Sequence, residues 1–232
     1  MVMSRRVRRV NRVPVSGDPA HSPSDTLRLH MRVDLVITEH PSFLDVERAA
    51  GYEEIRGLLA ALAGRPVDAV HYLDARSLGP GPVVLSGAKA PWSAHDPVML
   101  ERLGDRVRAA RAPVLGICAG MQLLARFAGG RIETMVPPER EELGYGPLDV
   151  LDASDLLAEL PARATVFHDH RDEITSVPRG FRVLASTSAC GVQAVAVPER
   201  RWWGTQFHPE CFDDEHPDGE RVLRNFFELA GS

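Results

Sequence analysis

Lysine is almost missing from this chain: Lys89 stands alone among 27 basic residues, the others all being arginine. That bias reads as a matter of composition, not as a site. Cysteine is nearly as scarce. Cys118, Cys190 and Cys211 are too few, and odd in number, for a disulfide framework. No run approaches the ~20 unbroken apolar residues that a membrane-spanning helix needs. The arginines near the start are not followed by an apolar stretch of about 7–15 residues, so no secretory signal is read there. The expected compartment is therefore the reducing cytoplasm, where cysteines stay free thiols. A net charge of −5 gives no reason to expect nucleic acid. A phosphate-cradling glycine-rich loop of the P-loop type is also lacking. His216, within Asp213-Asp214-Glu215-His216, lacks clear metal-ligand spacing, and neither a metal nor a cofactor is expected.

What is present begins with an asymmetry. Six arginines (Arg5, Arg6, Arg8, Arg9, Arg12 and Arg28) face only Asp18 and Asp25 in the first 30 residues, so a basic leader precedes an acidic body. Pro14 to Asp25 is rich in proline, serine, glycine and aspartate without apolar periodicity, and residues 1–30 are predicted to be a solvated, disordered tail. Met31 stands directly before the first strand-like run and is an alternative start of translation. Residues 31–232 read as one domain, and the whole chain, 25% charged and 44% apolar, has an ordinary globular mix.

Within that domain short β-branched runs alternate with helical stretches. Val33–Ile37, Ala69–Tyr72, Val83–Leu85 and Pro113–Ile117 are predicted strands. Asp45–Ala63 with Gly64 as its stop, Pro97–Ala110 and Met121–Phe127 are predicted helices. Strand and helix in alternation require crossover connections, which give an α/β three-layer sandwich: a mostly parallel central sheet with helices on both faces. Further on, Leu148–Val150, Ala164–Phe167, Arg182–Ala185, Gln193–Val197 and Trp203–Phe207 have few helices between them and predict an antiparallel extension. A closing helix spans Gly219–Leu229. Trp202 and Trp203 are assigned to the cover of a sheet edge, and Cys190 and Cys211 to packing or loop roles.

Two segments carry chemistry. In Val114-Leu115-Gly116-Ile117-Cys118-Ala119-Gly120-Met121-Gln122 a strand enters a helix through a glycine-flanked turn with cysteine at its apex, the pattern of a nucleophile elbow. The thiol would sit over the helix N-terminus, where the dipole favours thiolate, with the N–H of Ala119 facing the reaction centre. The second segment is Thr205-Gln206-Phe207-His208-Pro209-Glu210. If it is extended, His208 and Glu210 share one face, giving an imidazole held by a carboxylate. Nucleophile, base and orienter are the parts that thiol-dependent acyl chemistry requires.

Gly116-x-Cys118-x-Gly120-x-Gln122 and Gln206-Phe207-His208-Pro209-Glu210 together resemble the class I (triad) glutamine amidotransferases, with the flavodoxin-like fold of that family. The similarity runs from about Val83 to the C-terminus and is nearest the amidotransferase part of GMP synthetases, as Leu156–Pro161, Gly180–Thr187 and Arg224–Phe227 also read in that register. The resemblance implies Cys118 as nucleophile, His208 as acid–base and Glu210 as its partner. It implies glutamine as substrate, with Gln122, His170 and Asp172 contacting it, Asp172 at the α-ammonium. In the family a Gly-Gly-Pro loop follows the strand at Val83–Leu85 and donates a backbone N–H to the oxyanion hole. Here the loop is Ser86-Gly87-Ala88-Lys89-Ala90-Pro91, and Gly87, with Ala88 as the other choice, takes that role beside Ala119. Arg171 also stands where the family has glycine. The implied reaction strips ammonia from glutamine for a separate synthetase-type partner. A γ-glutamyl peptidase or hydrolase on the same fold, or a non-catalytic regulatory homologue, are the competing expectations.

Overall fold

A computed structural model describes residues 32–75 and 78–231; the basic leader lies outside them. In chain order the strands are β1 Val33–Ile37, β2 Val67–His71, β3 Val83–Leu85, β4 Val114–Ile117, β5 Arg131–Thr134, β6 Glu142–Val150, β7 Arg163–His170, β8 Asp172–Ser176, β9 Arg182–Ser186, β10 Ala194–Val197 and β11 Trp202–Thr205. The α-helices are α1 Val46–Ala63, α2 Pro97–Ala109, α3 Ala119–Phe127 and α4 Asp218–Gly231.

Nine strands form one sheet in the order β2-β1-β3-β4-β11-β10-β9-β6-β7. The first five are parallel; β10, β9, β6 and β7 continue the sheet with antiparallel pairing. Alternate residues of each parallel strand serve opposite faces, as the pleat dictates. Leu35, Val84, Leu115 and Trp203 pack with Leu59 of α1 and Phe226 of α4. Val36, Val83, Val114 and Trp202 pack on the other face with Leu103 of α2 and Leu124 of α3. The three layers and the antiparallel extension are thus as expected.

Local signals set the helix ends. The Asp45 carboxylate accepts the Arg48 N–H at 2.8 Å, and Gly64 takes the left-handed conformation that stops α1. The Asp96 carboxylate caps α2, with Pro97 at its first position. Among the described residues no helix is long and apolar enough to cross a membrane.

Two expectations need correction, and one element was not anticipated. Trp202 and Trp203 do not cover a sheet edge: β11 is central, and each ring is buried in a different core. His208 and Glu210 do not lie on an extended segment, since Pro209–Cys211 forms a 3-10 turn. A second, two-stranded sheet of β5 and β8 was not read from the sequence at all.

Candidate active site

The parallel strands β1, β3, β4 and β11 all end at the same rim of the sheet, where open α/β sheets place their ligand crevices. Cys118 follows β4 with φ 49° and ψ −107°, backbone space an L-residue rarely occupies. The turn is so tight that only glycine fits on either side. A Cβ on Gly116 would stand 2.5 Å from the Gly120 carbonyl carbon, and one on Gly120 would stand 2.4 Å from the Leu85 oxygen. The Cys118 N–H donates to Thr205 O at 2.6 Å, which ties the elbow to β11.

That tie brings the second segment into place. His208 Nδ1 lies 2.7 Å from Glu210 Oε1, joined by the 3-10 turn instead of by an extended strand. Both side chains are largely buried. Burial pulls the His208 imidazole down, but the Glu210 charge and the nearby Cys118 sulfur outweigh it and hold the ring well above its usual value. His208 Nε2 makes no hydrogen bond of good geometry, so the Cys118–His208 contact is a close approach and not a closed bond. The structure therefore brings Cys118, His208 and Glu210 together.

Cys118 Sγ accepts from Gln206 Nε2 at 3.5 Å and lies 3.9 Å from Asp169 O. Gln206 is fixed by Gln122, whose Nε2 donates to Gln206 Oε1 at 3.0 Å and to Asp172 O at 3.0 Å. Trp92 Nε1 donates to Gln122 Oε1 at 3.1 Å. Gln122 does line the cavity beside Cys118, but its amide is already committed to the protein. It delivers an N–H to the sulfur through Gln206, a link with no signal in the sequence beyond the shared motif.

The cavity measures about 240 Å³ and is lined by Ala88–Ala90, Trp92, Cys118, Ala119, Gln122, residues 141–143 and residues 169–172. Gly87 sits against both Cys118 and His208: a Cβ there would lie 2.8 Å from His208 Cε1 and 3.6 Å from Cys118 Cβ. Among the described residues, neither the Gly87 nor the Ala88 N–H donates to a protein acceptor. The Ala119 N–H opens α3 and is one of that helix's unspent donors. Lys89 and Asp169 form an ion pair between the two lips.

His170 and Asp172 reach this cavity with their side chains engaged. His170 Nε2 lies 3.0 Å from Glu142 Oε2 and 3.2 Å from Gln193 Nε2, and Asp172 Oδ1 accepts from Thr134 at 2.8 Å. Burial raises Glu142, but the hydrogen bond with His170 and the charge of His168 outweigh it and leave the carboxyl below its usual range. Glu142, His168 and His170 hold ligand-capable atoms within 4.8 Å of one another, yet the first and last already bond each other and Gln193. That pairing accounts for Glu142 and His170, whereas both ring nitrogens of His168 are buried without a hydrogen-bond partner. Burial, with the Glu210 charge adding to it, pushes the Cys211 thiol up to about 12, so the second cysteine of this region stays protonated. Cys190 is fully buried in a turn with Thr187, also with its thiol at about 12 through burial. His216 stacks on Tyr145 at 3.8 Å and pairs with Asp213, a structural role.

Glu39 was missed by the sequence reading. Its fully buried carboxylate lies at the end of β1 and contacts the loop that carries Gly87. A charged residue just past an apolar strand has no pattern that separates it from a solvated one.

Comparison with known proteins gives the same outline. Residues 73–230 match the family described as Glutamine amidotransferase class-I. A glutamine-hydrolyzing GMP synthase subunit of Pyrococcus abyssi is 32% identical over 158 residues, covering 68% of this chain and 80% of that protein. The GMP synthase of Syntrophomonas wolfei is 39% identical over 155 residues, 66% of this chain but 28% of the relative. A crystal structure from Thermoplasma acidophilum, described as that of a candidate GMP synthase subunit, superposes with a TM-score of 0.68 at 27% identity, covering 87% of this chain and 94% of the other. The chain belongs to the class I glutamine amidotransferase family, and is an enzyme of glutamine amide hydrolysis.

Proposed function

We propose that Cys118, His208 and Glu210 form the triad that hydrolyses glutamine, and that the ammonia serves a separate synthetase-type partner. The observation that carries this is the strained elbow: Cys118 at positive φ, beside His208–Glu210 and close to Gly87, Ala88 and Ala119, whose N–H groups bond no protein acceptor. The Cys118 sulfur attacks the side-chain carbonyl carbon of glutamine, and the oxyanion forms against those N–H groups. His208, protonated, gives its proton to the departing nitrogen as the C–N bond breaks. Water, losing a proton to the same imidazole, then adds to the thioester; glutamate leaves and the thiol is restored. Asp172 and His170 close the end of the cavity that receives the amino-acid group. Residues 31–232 act as the amidotransferase unit, in the cytoplasm.

A partner is supported by the similarity to relatives whose names make them one subunit of a GMP synthase. Co-purification from the native source with a synthetase tests that part; full turnover to an aminated product by this chain alone contradicts it. The catalytic part is tested by ammonia release from free glutamine and from γ-glutamyl amides. Wild-type protein is expected to prefer free glutamine and Cys118→Ala to fall to background. Preference for γ-glutamyl amides, or activity retained in Cys118→Ala, overturns the proposal.

A further inference from the structure

The loop Ser86–Pro91 has one glycine, yet its conformation is held from two sides. Above it, the Tyr52 hydroxyl donates to Gly87 O at 2.9 Å and Ser86 Oγ donates to the same oxygen at 2.8 Å. Below it lies Glu39, with no exposed surface. Glu39 Oε2 accepts from the Lys89 N–H at 2.8 Å and from Arg48 Nη1 at 3.2 Å. Glu39 Oε1 accepts from the Ala90 N–H at 3.0 Å and from the His40 N–H at 3.0 Å. The strand end that carries Glu39 is itself fixed, because Thr38 N–H donates to Ser86 Oγ at 3.0 Å and Glu39 O lies 2.8 Å from His71 Nε2.

With the Gly87 carbonyl pinned on one side and two consecutive N–H groups pinned on the other, little freedom remains for the peptide between them. The Gly87–Ala88 peptide carries the unspent Ala88 N–H, and the unspent Gly87 N–H sits on the preceding peptide, whose Ser86 O accepts from Thr38 Oγ1 at 2.9 Å. We propose that Glu39 is the positioning residue of this oxyanion loop, its buried carboxylate, braced by Arg48, setting the aim of the Gly87–Ala88 donors before substrate arrives. Both Glu39 and Arg48 lie outside residues 73–230, the part that matches the family. The inference rests on the glutaminase reading above.

Glu39→Gln is the sharp test. Either orientation of the new amide turns an NH2 toward a loop N–H, so at least one of the two loop bonds is lost. In the folded variant, kcat for glutamine is expected to fall about 10²-fold, the size of effect that a lost oxyanion donor produces, with KM changed much less. Alkylation of Cys118 by iodoacetamide displaces iodide at carbon and builds no oxyanion, so its rate is expected to stay within about twofold of wild type. An unchanged kcat, or hydrolysis and alkylation falling together, overturns the inference. Wild-type turnover in the same assay shows separately whether the glutaminase reading holds. Should Glu39→Gln not fold, Lys89→Pro and Lys89→Ala remove the same side chain, and only the proline removes the N–H. The inference requires Lys89→Pro to be at least about tenfold slower in kcat than Lys89→Ala, and equal rates overturn it.

Discussion

His208 carries the clearest electrostatic signature at the scale of single residues. Its imidazole is held above the ordinary value of about 6.5 because Glu210 and Cys118 outweigh burial. A raised folded value means that the protonated form is favoured by folding. The stabilisation is fully present below the unfolded pKa and is lost as pH rises through the folded one. Glu210→Gln removes the charge that favours imidazolium. Its loss of stability relative to wild type is therefore expected to be largest at mildly acidic pH, below about 6.5, and to shrink as pH rises into the alkaline range, as read from urea midpoints. A difference that is flat across that range contradicts the assignment. Cys118 and the His208–Glu210 pair were legible in the sequence because glycine-flanked cysteine and closely spaced histidine and glutamate are local patterns. Glu39 and the Trp92–Gln122–Gln206 chain were not, because their partners lie far away along the chain and only folding brings them near.

The elements most legible were those with a continuous apolar run or clear end signals. β1 and β3 were read to the residue, and α1 to its cap and stop, since Val33–Ile37 and Val83–Leu85 are buried runs and Asp45 and Gly64 are unambiguous punctuation. β5 and β8 escaped because Arg-Ile-Glu-Thr and Asp-Glu-Ile-Thr-Ser are short and polar, and β6 was read only from Leu148 because Gly144, Gly146 and Pro147 break its pattern. The turn before α3 is the element on which the site depends. Gly120→Ala would place a Cβ 2.4 Å from Leu85 O and 2.8 Å from Leu85 Cβ, forcing α3 away from β3. A loss of about 1–3 kcal/mol in urea unfolding is expected, as overpacking typically costs. Wild-type stability in that variant means that the elbow is looser than described.

Across the whole molecule, the site exists because four parallel strands deliver their ends to one rim: β1 brings Glu39, β3 brings Gly87, β4 brings Cys118 and β11 leads to His208. Two cysteines then lie in this region, and burial keeps the Cys211 thiol protonated up to about 12. The proposed triad therefore predicts the acyl group on Cys118 and not on Cys211. Rapid acid quench of the enzyme during glutamine turnover, followed by peptide mass spectrometry, reads this directly. A glutamyl adduct on the Cys118 peptide, released by mild base as a thioester, is the predicted result. Glutamine turnover with the adduct on the Cys211 peptide, or with no adduct at any cysteine even when deacylation is slowed, would contradict it.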